Sequence, residues 1–322
     1  MRTVPRIGRE LVHHGRRSRG RRRHEGLVIA MSAVEQSGTF TLGDLRLRRL
    51  GYGAMHLSGP GVFGPPKDRR AAVEVLREAV ASGINHIDTS DYYGPFVTNQ
   101  LIKEALHPYR DDLVIVTKVG ARRGTDGSVL AASSPRELVQ AIHDNLRHLG
   151  LDVLDVVNLR NMFGVAENAV SSIESGLTTL ADLQRQGLVR HIGLSSVTPE
   201  QVACGRRICE IVCVQNKYNL AYRFDDALID DLATARIAYV PFFPIGGGFM
   251  QLQSAALSEM AHNLGATPTQ VAIAWLLRRA ANMLLIVGTS SLAHLRENIA
   301  GAALRLSDDD FAALGRATHT RA

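Results

Sequence analysis

From Gly38 onward the chain alternates short β-branched runs with amphipathic helical segments, and this alternation restricts the possible folds more than any other feature. Strands are predicted over 50–55, 86–89, 113–119, 154–159, 191–195, 211–215, 238–243 and 284–288. A helix is predicted over 135–149, where Leu138, Ile142, Leu146 and Leu149 recur at helical spacing and Ser134 with Glu137 forms a capping box. Thr198-Pro199-Glu200 and Thr267-Pro268-Thr269 each read as an N-cap followed by proline at the first helical position. Eight strand–helix units within about 280 residues predict an α/β fold, a closed (β/α)8 TIM barrel rather than a doubly wound open sheet. Residues 39–47 alternate around Gly43-Asp44 and predict a β-hairpin ahead of the barrel. The interval between Phe243 and Leu284 is too long for one helix, so an additional helix is expected there, and a further helix over 308–318 should pack outside the barrel. The helical segments differ in sequence, so no solenoid repeat is present.

Charge divides the chain unevenly. The net charge is +6, but residues 1–30 hold nine arginines against Glu10 and Glu25, which is +7, so the remainder carries about −1. The body is therefore nearly neutral. A run such as Arg16-Arg17-Ser18-Arg19-Gly20-Arg21-Arg22-Arg23 repels itself and buries no apolar surface, so residues 1–37 are read as a basic, disordered tail and residues 38–322 as one barrel domain. The favoured reading of the tail is upstream sequence translated ahead of a start at Met31; a disordered extension is the plainer alternative. An export signal fits less well, because the paired arginines lack a following apolar run, and a nucleic-acid arm would want interleaved aromatics.

No apolar run approaches the roughly 20 residues of a membrane span, so no membrane partner is expected. Cys204, Cys209 and Cys213 are odd in number and match no common zinc spacing; they read as reduced core residues of a cytoplasmic protein without a metal.

The active face of such a barrel lies at the carboxyl ends of its strands. There the second, third and fourth predicted strands end in or next to Asp88, Lys118 and Arg160, and Tyr93 follows five residues after Asp88. An Asp–Lys pair is the natural way to hold these charges at a rim. A rim salt bridge accounts for that pair but not for Tyr93. An ammonium beside the phenol would lower its pKa from about 10 toward neutrality and make Tyr93 a general acid. An aromatic pair Tyr92-Tyr93 packing on a loop is the alternative, and the residues by themselves leave both open.

Asp88-Thr89-Ser90-Asp91-Tyr92-Tyr93-Gly94 resembles the Asp-Thr-Ala-x-x-Tyr-Gly pattern of the aldo-keto reductases. Leu149-Gly150-Leu151-Asp152-Val153-Leu154-Asp155, Gly193-Leu194-Ser195-Ser196, Val214-Gln215-Asn216-Lys217-Tyr218-Asn219 and Val287-Gly288-Thr289-Ser290 follow in the family's order, across residues 39–306. The resemblance implies a reductase of small aldehydes that uses NADPH, with Asp88, Tyr93 and Lys118 on three of four catalytic positions. The segments 59–66 and 154–160 are similar to those of family members that reduce pyridoxal, which makes pyridoxal the expected substrate. At the fourth position most of the family has histidine, and this chain has Arg160. Its guanidinium is always charged and forked, so Arg160 is expected to hold an anionic oxygen beside the reacting carbonyl or else to join the Asp88–Lys118 charges.

The same resemblance distributes the cofactor. Ser195, Ser196 and Gln215 fall on positions that hold a nicotinamide carboxamide. Phe242 falls where an aromatic ring stacks on nicotinamide, with a barrel-core role as its alternative. No Gly-x-Gly-x-x-Gly follows a strand; instead Gly246-Gly247-Gly248 follows the seventh strand, where backbone can approach a pyrophosphate. Thr289 and Ser290 precede a helix and could receive the adenosine 2′-phosphate. His294 stands where the family often has arginine, with Arg296 two residues on, and Glu297 and Asn298 match its adenine-binding pair. Gly53, Met55, Pro244, Ile245 and Gly288 complete the expected cofactor contacts. Two other readings are a nicotinamide-binding sensor with slow chemistry and a hydrolase on the same barrel; the latter would need a metal cluster or paired carboxylates, for which no convincing positions stand out.

Overall fold

The computed structural model describes residues 31–161, 173–246 and 254–317. Residues 1–30 of the basic tail and the last two glycines of Gly246-Gly247-Gly248 lie outside them, whereas residues 31–37, read as the end of a disordered tail, are folded, with Val34 and Ser37 buried against the barrel. The chain begins with a hairpin, β1 (Thr39–Leu42) and β2 (Leu45–Arg48), and continues through β3 (Leu50–Gly53), α1 (Arg69–Ala81), β4 (His86–Asp88), α2 (Val97–Leu106), β5 (Val114–Arg123), β6 (Val129–Ala132), α3 (Pro135–Leu149) and β7 (Leu154–Arg160). Then come α4 (Glu174–Arg185), β8 (Val189–Ser195), α5 (Pro199–Ile208), β9 (Ile211–Gln215), α6 (Asp226–Thr234), β10 (Ala238–Tyr239), α7 (Ala255–Asn263), α8 (Pro268–Arg279), β11 (Leu285–Ile286), α9 (Leu292–Gly301) and α10 (Asp308–Ala317).

Eight strands run parallel in the order β10-β9-β8-β7-β5-β4-β3-β11. The two ends of this order meet: Tyr239 N–H donates to the Asn282 carbonyl and Leu284 N–H to the Tyr239 carbonyl, both at 2.9 Å, which closes the ring. The predicted (β/α)8 barrel is thus the observed fold. Helix caps form where the sequence places them. Ser134, Thr198 and Thr267 each close a capping box with the residue three positions on, ahead of Pro135, Pro199 and Pro268.

The hairpin accounts for one end of the barrel. Gly43 adopts the left-handed φ of +59° that a tight two-residue turn requires. Leu42, Leu45 and Leu47 then pack against Val114, Val156, Ala238 and Leu284 inside the ring. Burying each leucine is worth about 2 kcal/mol, and together they plug the amino-terminal mouth. Only the carboxyl-terminal mouth is left for a site.

Two expectations are revised. Strand β10 is two residues long instead of covering 238–243, because Pro241 has no N–H to give the ladder and Phe243 turns to a φ of +55°. Backbone pairing nevertheless continues on one side, with Phe242 N–H donating to the Asn216 carbonyl at 2.9 Å. Strand β5 runs beyond the barrel rim and folds back as an antiparallel pair with β6, an element the sequence reading did not contain. The interval before β11 holds two helices, α7 and α8, the crossover helix and the additional one expected there. The last helix lies outside as expected, with Phe311 stacked on Trp275 at 5.3 Å between centroids.

Candidate active site

Parallel pairing sets the charged residues side by side. Asp88 is opposite Val116, so Lys118, two residues on, points to the same interior face one step nearer the rim. Both side chains are buried at 2% exposure. The ammonium of Lys118 donates to Asp88 Oδ1 at 2.5 Å, to the Thr89 carbonyl at 2.9 Å and to Tyr93 Oη at 3.4 Å. Its three protons are thereby directed, and the other carboxylate oxygen of Asp88 accepts from Gln215 Nε2 at 2.8 Å. A turn after β4, closed by the Tyr93 N–H to Ser90 carbonyl bond at 3.1 Å, swings Tyr93 over this pair.

The phenol does not titrate as the sequence argument predicts. Burial pushes the Tyr93 hydroxyl well above the ordinary tyrosine value, with the neighbouring Tyr92 and the charge of Asp88 adding to it and Arg160 opposing. Burial likewise draws Lys118 below its ordinary value, an effect Asp88 counters. Desolvation therefore outweighs the ammonium, and Tyr93 stays protonated where an acidified phenol would begin to ionise.

Arg160, the last residue of β7, stacks its guanidinium on the Tyr92 ring at 4.5 Å from the centroid and joins Asp88, Tyr93 and Lys118 on the wall of one cavity. This cavity has a volume of about 960 Å³, at the large end for a ligand site. Of the residues expected to hold cofactor, Gly53, Met55, Ser196, Phe242, Pro244, Ile245, Gly288, Thr289, Ser290 and His294 line it. Phe242 lines the cavity and also packs against the barrel interior. Gly53 and Gly288 lie so close that a Cβ on Gly288 would stand 2.4 Å from the Gly53 carbonyl oxygen.

Ser195 and Gln215 pair across β8 and β9 beneath this wall, both fully buried. Ser195 Oγ and Gln215 Oε1 have no hydrogen-bond partner among the described residues. Orphaned buried polar atoms are costly, and a hydroxyl next to an amide carbonyl is what a carboxamide group would satisfy. The donor set fits the nicotinamide end of a dinucleotide. At the other end, Ser291 caps α9 by accepting from His294 N–H, so the helix start with Thr289 and Ser290 faces the cavity with amide groups suited to a phosphate.

Beyond Ser195 and Gln215, three expected contacts, Glu297, Asn298 and Gly246, stand apart from the cavity wall. Glu297 accepts a hydrogen bond from Thr267 Oγ1 at 2.6 Å, tying α9 to the start of α8, and Asn298 is buried in the helix at 4% exposure. Arg296 pairs with Glu78 at 2.9 Å on the outside. Gly246 ends a described segment without lining the cavity. Conversely, Val129 on β6, Asn161, Lys217 and Tyr222 line the cavity although the sequence reading gave them no role. Asn161 and Lys217 could have been found as residues just beyond strand ends; Val129 could not, because its strand was not foreseen. Among the described residues no helix is long and apolar enough to cross a membrane.

Comparison with known proteins agrees with this geometry. The aldo/keto reductase family model matches residues 49–318. The chain is 66% identical over 279 residues to the pyridoxine 4-dehydrogenase of Escherichia coli, covering 86% of this chain and 97% of that protein. It is 33% identical over 289 residues to an uncharacterised oxidoreductase of Schizosaccharomyces pombe, covering 89% and 92% respectively. Among solved structures, a thermostable aldo-keto reductase in complex with the inhibitor epalrestat superposes with a TM-score of 0.73 at 27% identity, covering 86% of this chain and 97% of that one. The Klebsiella pneumoniae aldo-keto reductase in complex with NADPH gives a TM-score of 0.73 at 21% identity, with coverage of 88% and 96%, and speaks for the fold. The chain belongs to the aldo/keto reductase family.

Proposed function

We propose that this protein is an NADPH-dependent reductase that converts pyridoxal to pyridoxine and can run the reaction backward. The observation that carries this reading is the buried chain Asp88–Lys118–Tyr93 opening on the cavity, with the orphaned Ser195 Oγ and Gln215 Oε1 buried in the adjoining strands. The choice of pyridoxal is supported by the 66% identity to a protein named for oxidising pyridoxine.

NADPH, when bound, supplies the hydride that reaches the carbonyl carbon. Ser195, Gln215 and Phe242 would hold its nicotinamide end, and Thr289 and Ser290 its phosphate end. In this reading Tyr93 holds the proton that the carbonyl oxygen takes up as it becomes an alcohol. Burial keeps that proton in place before the reaction. Once the proton leaves, the phenolate is met by the Lys118 ammonium 3.4 Å away, and Asp88 fixes that ammonium in position. Three free cysteines, Cys204, Cys209 and Cys213, suit a reducing, cytoplasmic setting.

The test is loss of NADPH absorbance with pyridoxal, pyridoxal phosphate, simple aldehydes and sugars. Efficient turnover of pyridoxal is the expected result. Turnover of none of these substrates would remove the reading, and turnover confined to sugars would move the substrate elsewhere.

A further inference from the structure

Among the cations at the cavity, Arg160 and Lys118 are in opposite situations. Lys118 is neutralised by Asp88 at 2.5 Å. Arg160 forms no ion pair with a carboxylate among the described residues: the oxygens of Asp88 are taken by Lys118 and Gln215. Asp91 is the other nearby acid, and burial raises its pKa to about 7, so near neutrality much of it carries a proton. What Arg160 does have is the face of Tyr92, at 4.5 Å from the centroid. A ring face stabilises a cation only partly, and the five N–H donors of a guanidinium outnumber the tyrosine hydroxyls beside this one.

Burial weighs against the Arg160 charge while Tyr92, Tyr93 and Asp88 favour it, and a ligand that brings a negative oxygen adds the full counter-charge that no paired carboxylate supplies among the described residues. A structural charge network would instead have its charges paired in the protein alone. The guanidinium shares the cavity wall with Tyr93 and acts electrostatically on its hydroxyl, so it lies beside the point where the carbonyl oxygen must sit to take the tyrosine proton. Two parallel N–H donors in a planar fork match two oxygens held side by side.

We propose that Arg160 is a specificity-determining residue that binds an anionic oxygen on the atom next to the one bearing the reacting carbonyl. The substrate class is therefore the aromatic aldehydes with an ionised hydroxyl ortho to the aldehyde, of which pyridoxal is one. This deepens the pyridoxal reading and rests on it. Hydride addition turns the carbonyl oxygen into an alkoxide that takes its proton from Tyr93, while the ortho oxygen keeps its charge throughout. Arg160 consequently holds the same anion in the aldehyde and in the alcohol. Its contribution appears in binding and in kcat/KM for this class, and aldehydes without the hydroxyl do not receive it.

The experiment compares kcat/KM for matched pairs: pyridoxal against pyridine-4-carbaldehyde, and 2-hydroxybenzaldehyde against 2-methoxybenzaldehyde. Each is measured in wild type, Arg160→Met and Arg160→Lys. Wild type should favour the hydroxyl member of each pair by about tenfold to a hundredfold, the usual range for one charge-assisted hydrogen bond. Arg160→Met should bring the ratio near unity, and Arg160→Lys, which keeps the charge without the fork, should retain part of it. Equal losses on both members, or a wild type without preference, would overturn the proposal. Binding of 4-deoxypyridoxine, which has the ring hydroxyl but no reacting carbonyl, is measured by calorimetry alongside. If wild type reduces no aldehyde, the proposed function fails, yet a tenfold or greater loss of this binding in Arg160→Met would still support the anion site, and unchanged binding would exclude it. Should Arg160→Met not fold, the Arg160→Lys ratio and binding decide in the same way.

Discussion

The carboxylate of Asp88 and the ammonium of Lys118 meet at 2.5 Å inside the barrel, each 2% exposed, with Gln215 and the Thr89 carbonyl occupying their remaining near neighbours. Such a pair is worth little against an apolar substitute, yet removing one member strands the other. We expect Asp88→Asn and Lys118→Met each to lower unfolding free energy by about 3 kcal/mol or more, and the double variant to recover much of that loss. Urea unfolding of the four proteins gives the coupling; additive losses would show that the pair is not energetically joined.

Tyr93→Phe should leave NADPH binding within about twofold by fluorescence titration and lower kcat by about a hundredfold to ten-thousandfold. Because burial holds the wild-type phenol protonated, the alkaline limb of kcat for reduction should lie above the range in which an ordinary tyrosine ionises. A limb near neutrality would instead support the acidified phenol that the sequence argument predicts.

Ser195→Ala separates a ligand contact from a structural one. Its hydroxyl has no partner among the described residues, so the variant should be at least as stable as wild type in the absence of cofactor. NADPH affinity should fall by about five- to tenfold, the equivalent of one lost hydrogen bond. A large drop in melting temperature without cofactor would contradict this assignment.

His86 sits inside the ring at 2% exposure, against Gly51, and burial lowers its pKa to about 4. In the unfolded chain it would take up a proton near pH 6.5, so wild-type stability falls as pH drops through that value and levels off once the folded form protonates near pH 4. Asp91, raised to about 7 by burial, works in the opposite direction, because the folded form binds its proton first. Comparing wild type with His86→Leu cancels the Asp91 contribution. The gap should shift against wild type by about 3 kcal/mol between neutral pH and pH 4, measured by urea unfolding.

Gly193 is crowded: a Cβ there would stand 2.0 Å from Asn158 Oδ1 and 2.5 Å from Cys213 Sγ. Gly193→Ala should cost about 1–3 kcal/mol by overpacking. Relief of that loss in Gly193→Ala/Cys213→Ala would locate the strain.

The local order of this protein is written in the chain. Alternation of strands and amphipathic helices, proline after Ser134, Thr198 and Thr267, and a glycine turn at Gly43 are short-range signals, and they yielded the barrel, its caps and its hairpin plug. Strand ends were legible too, which is why Asp88, Lys118 and Arg160 could be gathered at one rim before any coordinate was known. What the sequence could not decide depends on distances between distant segments. The acidity of Tyr93 turned on how much water the closed cavity leaves around it, and burial reversed the sign expected from the ammonium alone. Glu297 was drawn away to Thr267, Arg296 to Glu78, and Val129 was carried to the cavity by a strand extension with no local signature. Periodicity and turn chemistry are properties of neighbouring residues, whereas desolvation and ion pairing depend on everything that packing brings near, so only the tertiary structure settles them.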